Sequence, residues 1–152
     1  SMLEEIVAHC VAYKAGVVER DEKEQGERKL LNLGHTIGHA IEKCSGFTIP
    51  HGHAVAAGLA IMTRATENLG WLTDGAKQTW EADRIESAVE SLGLPSSTEY
   101  PPEALAKAAL SDKKRAGNNI TIVVPSKIGH CELKTIPVIQ LQSVIEAGWA
   151  LE

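Results

Sequence analysis

The sequence is first informative for what it leaves out. Its 152 residues contain no apolar run of the roughly 18–20 residues needed to span a bilayer, and no secretory leader. There is no basic tract: 15 Lys and Arg stand against 20 Asp and Glu, and a net charge of −5 argues against nucleic acid as a partner. Cysteine is scarce. Cys10, Cys44 and Cys131 are odd in number and widely spaced, which reads as reduced thiols in a cytoplasm rather than a disulfide framework. Trp71, Trp80 and Trp149 read as packing residues, and His9 and His130 as structural ones. No glycine-rich strand–turn–helix is present to cradle a dinucleotide pyrophosphate. There is no internal repeat and no low-complexity linker. With 43% hydrophobic and 23% charged residues, the chain reads as one globular, mainly α-helical domain over residues 3–152, with Ser1-Met2 as a tag remnant.

What is present is concentrated in RKLLNLGHTIGHAIE, Arg28 to Glu42. Arg28, Asn32, His35, His39 and Glu42 recur at steps of four, three, four and three, so on one α-helix they fall within roughly 80° of arc. Leu30, Leu33, Ile37, Ala40 and Ile41 take the opposite side. A solvated face would carry Lys, Glu and Gln. This one carries two imidazoles, a guanidinium and an amide.

The next block, CSGFTIPHGHAVAAGLAIMTRA, breaks the helix at Ser45-Gly46, turns through Pro50 and starts a second helix near His51. His51 and His53 then sit at a helix N-terminus, where the dipole favours anions. Val55, Leu59 and Met62 repeat at helical spacing and are expected to pack on the first helix. Three or four imidazoles on adjacent helices, with Arg28 and Asn32 on the same stripe, point to a metal site beside an anion-binding group. Gly34 and Gly38 each cost roughly 1 kcal/mol inside a helix, which suggests close approach of a neighbouring helix or a substrate.

Elsewhere, helices are expected over about Leu3–Glu19, Ala82–Leu92, Glu103–Leu110 and Val138–Trp149. Ile120–Val124, a turn over Pro125–Gly129 and a strand at about His130–Lys134 make the one β-hairpin. Asp21–Gly26 reads as an acidic connector.

RKLLNLGHTIGHAIE, HGHAVAAGL, DKKRAGNNITIVVPSKIG and the approach YKAGVVERDEKEQGER occur here in the order found in the C-terminal domain of 3-dehydroquinate synthase, which this chain resembles from about Lys14 to Gly129. The resemblance implies a multi-helical domain with a small hairpin. It also implies the second step of the shikimate pathway, toward chorismate and aromatic amino acids. There 3-deoxy-D-arabino-heptulosonate 7-phosphate, a phosphorylated sugar acid, loses phosphate and closes to 3-dehydroquinate. NAD is used and regenerated in each turnover, and a divalent metal, zinc or cobalt, holds the substrate. The resemblance places NAD mainly in an N-terminal domain, and a third metal ligand, a glutamate, in an upstream G-x-AEVIK-like motif; neither has a counterpart in these residues. The isolated segment is accordingly expected to be inactive. A cytoplasmic homodimer is the expected assembly.

By resemblance, His35 and His51 are the metal ligands, although i and i+4 spacing alone would pair His35 with His39. His39 is implied as a substrate-contacting, catalytic histidine near the phosphate. Lys14, Arg28 and Asn32 are implied to hold the carboxylate and phosphate, with Lys14 also catalytic. Glu24 is implied as an acidic catalytic residue orienting Lys14 or His39, and Lys113 or Lys114 as a phosphate contact. One position departs from the pattern: His53 stands where the family commonly has the glutamate of HGEAVA, so it reads as either a metal-supporting or a surface residue. Alternatives from other classes are a related sugar-phosphate cyclase, a metal-dependent polyol dehydrogenase, or a non-catalytic metal-binding helical module.

Overall fold

A computed structural model of the chain describes residues 1–73, 80–111 and 117–150, and divides it into two compact units, residues 1–32 and 33–152. Lys113 and Lys114 lie outside the described residues.

The first unit is helix α1, Met2–Arg20, followed by a folded connector. Ser1 and Glu4 form a reciprocal capping box at its start, satisfying N–H groups that a helix leaves unpaired. The connector is organised by Asp21. Its carboxylate accepts the backbone N–H groups of Gln25, Gly26 and Arg28 at 2.9, 2.7 and 3.0 Å. Those bonds hold the Asp21 carboxyl below its usual range, with Gln25 contributing most. Arg20 grips Glu27 through both Nε and Nη2 at 2.9 and 2.7 Å, closing the connector back onto the end of α1.

Here the structure departs from one long helix over Arg28–Glu42. Glu27–Asn32 is a 3-10 helix, Gly34 is left-handed at φ 77°, and helix α2 begins only at His35 and runs to Cys44. In a 3-10 helix residues advance by about 120°, so Arg28 and Asn32 stand about 120° apart instead of sharing a narrow stripe. The polar period was real, but Gly34 splits it between two elements.

The second unit holds α2, α3 (His51–Asn68), α4 (Trp80–Ser91), α5 (Pro102–Leu110), strands β1 (Asn119–Lys127) and β2 (His130–Pro137), and α6 (Leu141–Gly148). Mainly α with one antiparallel hairpin is the architecture the sequence predicts, and element ends fall within a few residues of expectation. Helix α3 is the centre, packing against α2, α4, α6 and β1. Its buried residues are mostly small (Ala54, Ala57, Gly58, Ala60, Ala65), with Ile61 and Met62 filling between them.

Small residues allow backbone-to-backbone approach. A Cβ on Gly38 would lie 3.0 Å from the Val55 Cα, and one on Gly58 would strike the Gly34 carbonyl oxygen. The other end of α3 repeats the device, because a Cβ on Gly148 of α6 would strike the Ile61 carbonyl oxygen. Arg64 ties the same corner: its Nε donates to the Gly148 carbonyl at 2.8 Å, its Nη2 to the Ser96 carbonyl at 3.0 Å, and Glu86 pairs with Nη1 at 3.3 Å.

The hairpin closes one side of the core. Ile120, Ile122, Val124 and Ile136 join Ile37, Ile41, Ile61, Leu105, Leu141 and Ile145 in one buried cluster. Ile120 pairs with Ile136, and a bulge between Pro125 and Lys127 leads into the turn. On the other face, Thr121 and Thr135 hydroxyls meet at 2.9 Å.

Candidate functional site

The turn at Ser45–Pro50 returns the chain so that the N-terminal end of α3 meets α2. Gly46 and Phe47 are both left-handed, at φ 62° each, and the Phe47 N–H donates to the Glu42 carbonyl at 2.7 Å. The consequence is a cluster of three imidazoles within the second unit. His35 and His51 ring centres are 5.2 Å apart, His35 and His39 5.4 Å, and His39 and His51 5.9 Å. His35 and His39 are half-buried and His51 is exposed.

The hydrogen bonds of His35 and His51 fix the proton on each of these two rings. His35 Nδ1 lies 3.1 Å from the Leu33 carbonyl oxygen, an acceptor only, so Nδ1 carries the proton. His51 Nδ1 lies 3.0 Å from Glu42 Oε1, which requires the same proton placement. In the neutral state both rings therefore keep their lone pair on Nε2. Among the described residues, His39, Glu42 and His51 also form a group whose ligand atoms lie within 4.8 Å of one another. Imidazoles plus a carboxylate suit a borderline divalent cation such as zinc.

Glu42 is the participant that sequence reasoning left without a role. It was on the polar stripe, but its partner lies across a turn whose return path a period along one helix does not reveal.

Residues 14, 24, 28 and 32 belong to the first unit. Glu24 Oε1 accepts from Asn32 Nδ2 at 3.0 Å, so this pair is brought together. Glu24 is itself left-handed at φ 54°, a conformation uncommon outside glycine and asparagine. Arg28 anchors the connector: its Nη1 donates to the Glu22 carbonyl at 2.7 Å. Lys14 is exposed on α1. In the second unit His53 lines a hollow of about 320 Å³ with Ile41, Ile49, Ala57, Ser97 and Glu99.

Residues 1–115 match the family described as 3-dehydroquinate synthase C-terminal. The chain belongs to that family. It is 39% identical over 134 residues to the 3-dehydroquinate synthase of Pyrococcus abyssi, covering 88% of this chain and 38% of that protein. With the 3-dehydroquinate synthase of Halorhodospira halophila it shares 43% over 131 residues, covering 82% of this chain and 36% of that protein. It therefore spans about two fifths of the length of these relatives. A crystal structure of 2-deoxy-scyllo-inosose synthase complexed with carbaglucose-6-phosphate, NAD+ and Co2+ superposes with a TM-score of 0.75 at 22% identity, over 97% of this chain and 42% of that one. That likeness places the fold. For a dehydroquinate synthase C-terminal domain, the imidazole cluster between α2 and the start of α3 is where residues of metal-binding chemistry converge.

Proposed function

We propose that this chain is the metal- and substrate-binding part of a 3-dehydroquinate synthase, acting on 3-deoxy-D-arabino-heptulosonate 7-phosphate with NAD and a divalent metal. The observation that carries the reading is the three-imidazole cluster, in which the Nδ1 atoms of His35 and His51 are each committed to an acceptor. In this reading His35 and His51 are the metal ligands through Nε2, and the metal would polarise the substrate oxygens it holds. His39, in contact with both rings, serves the substrate.

Arg28 offers a planar fork suited to a carboxylate, and Lys14 a point charge suited to phosphate. Asn32 supplies an amide whose orientation Glu24 fixes. Lys113 or Lys114 is assigned to the phosphate. NAD binding falls to sequence outside these residues, so the 152-residue chain alone is expected to release no phosphate from the heptulosonate phosphate. A cytoplasmic homodimer is part of the same proposal. No helix among the described residues is long and apolar enough to cross a membrane.

The histidines provide the test. In the complete enzyme, His35→Ala and His51→Ala should lose bound metal. His39→Ala should keep its metal and lose turnover by roughly 10²–10⁴-fold if it moves a proton, or raise KM if it only binds. Equal metal loss in His35→Ala and His39→Ala would refute the division. A related sugar-phosphate cyclase is the second reading, favoured by the superposition on 2-deoxy-scyllo-inosose synthase. Turnover of a phosphorylated sugar lacking a carboxylate, with none of the heptulosonate phosphate, would select it.

A further inference from the structure

The metal-site reading above leaves open what holds the exposed ligand in place, and this inference rests on that reading. His35 and His51 are supported differently. His35 is half-buried and its ring is fixed by a backbone carbonyl, that of Leu33, presented by the left-handed turn at Gly34. His51 is the first residue of α3, its side chain is 54% exposed, and its one acceptor is a side chain, Glu42. An exposed imidazole with no fixed acceptor samples both tautomers and several rotamers, and only one combination leaves a given nitrogen available to a metal.

We propose that Glu42 is a positioning residue for His51, fixing its Nδ1–H tautomer and leaving Nε2 as the metal-binding nitrogen. Three observations support this. The 3.0 Å separation of Oε1 and Nδ1 is a hydrogen-bond length. The Glu42 side chain is only 15% exposed, so it is the firmer partner of the two. Its backbone is pinned at the corner that delivers His51: the Glu42 carbonyl accepts from Ser45 Oγ at 2.9 Å and from the Phe47 N–H at 2.7 Å. The left-handed Gly46–Phe47 corner thus holds acceptor and imidazole in register across the turn.

The decisive variant is Glu42→Gln, which keeps the shape. The amide can donate its N–H₂ to Nδ1 and so favours the opposite tautomer, with the proton on Nε2. Long-range ¹H–¹⁵N spectra of the metal-free protein should show His51 as the Nδ1–H tautomer in the parent, and as Nε2–H or a mixture in Glu42→Gln. Co²⁺ titration followed by visible absorption should show affinity reduced about 10–100-fold in the variant, with the band positions of the saturated complex unchanged. An unchanged melting temperature in the metal-free variant establishes that the loss is not one of folding. Parent-like Co²⁺ affinity in Glu42→Gln, or a parent-like His51 tautomer, would overturn the proposal. Shifted Co²⁺ bands would also overturn it, by making Glu42 a direct ligand. His51→Ala separates the two readings. If it binds Co²⁺ like the parent, the metal-site assignment itself fails; if it loses the metal while Glu42→Gln does not, only the positioning role fails.

Discussion

Gly58→Ala is the substitution that tests the α2–α3 packing most directly. On an exposed helix the change would be favourable by about 1 kcal/mol, since alanine is the better helix former. Here the added Cβ would strike the Gly34 carbonyl oxygen, lie 2.8 Å from the Gly38 nitrogen and 3.2 Å from the Gly34 carbonyl carbon. All three neighbours are backbone, so no side chain can swing away, and α2 must be pushed back until the Gly38 contact alone lengthens from 2.8 Å to the 3.4 Å of ordinary contact. Overpacking of this kind costs about 1–3 kcal/mol and sometimes more. Rigid neighbours put it at the upper end, leaving a net loss of about 2 kcal/mol after the propensity gain. At roughly 2–4 °C per kcal/mol for a chain of this size, the melting temperature should fall by about 4–8 °C. Because α2 carries His35 and His39 while α3 carries His51, the same displacement should weaken Co²⁺ binding. Gly52→Ala is the control: it lies on the same helix beside His51, with nothing within 4 Å of the new Cβ. Scanning calorimetry of the two variants decides. A Gly58→Ala protein melting at or above the parent would refute the close backbone crossing.

Further expectations follow from other parts of the chain. Ile61, fully buried at the centre of α3, should cost about 2–5 kcal/mol as Ile61→Ala, read from the denaturation midpoint in urea with m unchanged. Asp21 has its carboxyl held low by three backbone N–H groups, so its contribution to stability is present above about pH 4 and lost as pH falls further. The amide proton shifts of Gly26 and Arg28 should therefore titrate with a midpoint below the ordinary aspartate value, and a midpoint at or above it would contradict the connector geometry. Cys10 is exposed on α1, whereas burial pushes the Cys131 thiol up, so iodoacetamide near pH 8 should alkylate Cys10 well before Cys131, as peptide mass spectrometry would show.

Much of the second unit was legible because its signals are local or periodic. The α2–turn–α3 arrangement follows from a polar stripe, a Ser45-Gly46 stop and a proline before His51, and the hairpin follows from a β-branched run and a glycine turn. Gly34 and Gly38 were expected to permit close approach, and they do, against Val55 and Leu59 of α3. The 3-10 segment was not legible for a related reason. A residue needed for close packing can also be the one that leaves the helix, and the period of four, three, four and three continues undisturbed through Gly34 whether or not φ turns positive there.

Glu42 shows the other limit. Its place on the stripe could be counted, but its partner is nine residues on, across two consecutive left-handed residues, one of them the non-glycine Phe47. Backbone strain at Phe47 has no sequence signature of the kind that glycine provides. The structural reason to accept it is what the corner achieves: it sets the half-buried carboxylate of α2 against the exposed imidazole of α3 at 3.0 Å. A relaxed longer turn could join the same two helices, but it would not hold that pair in register.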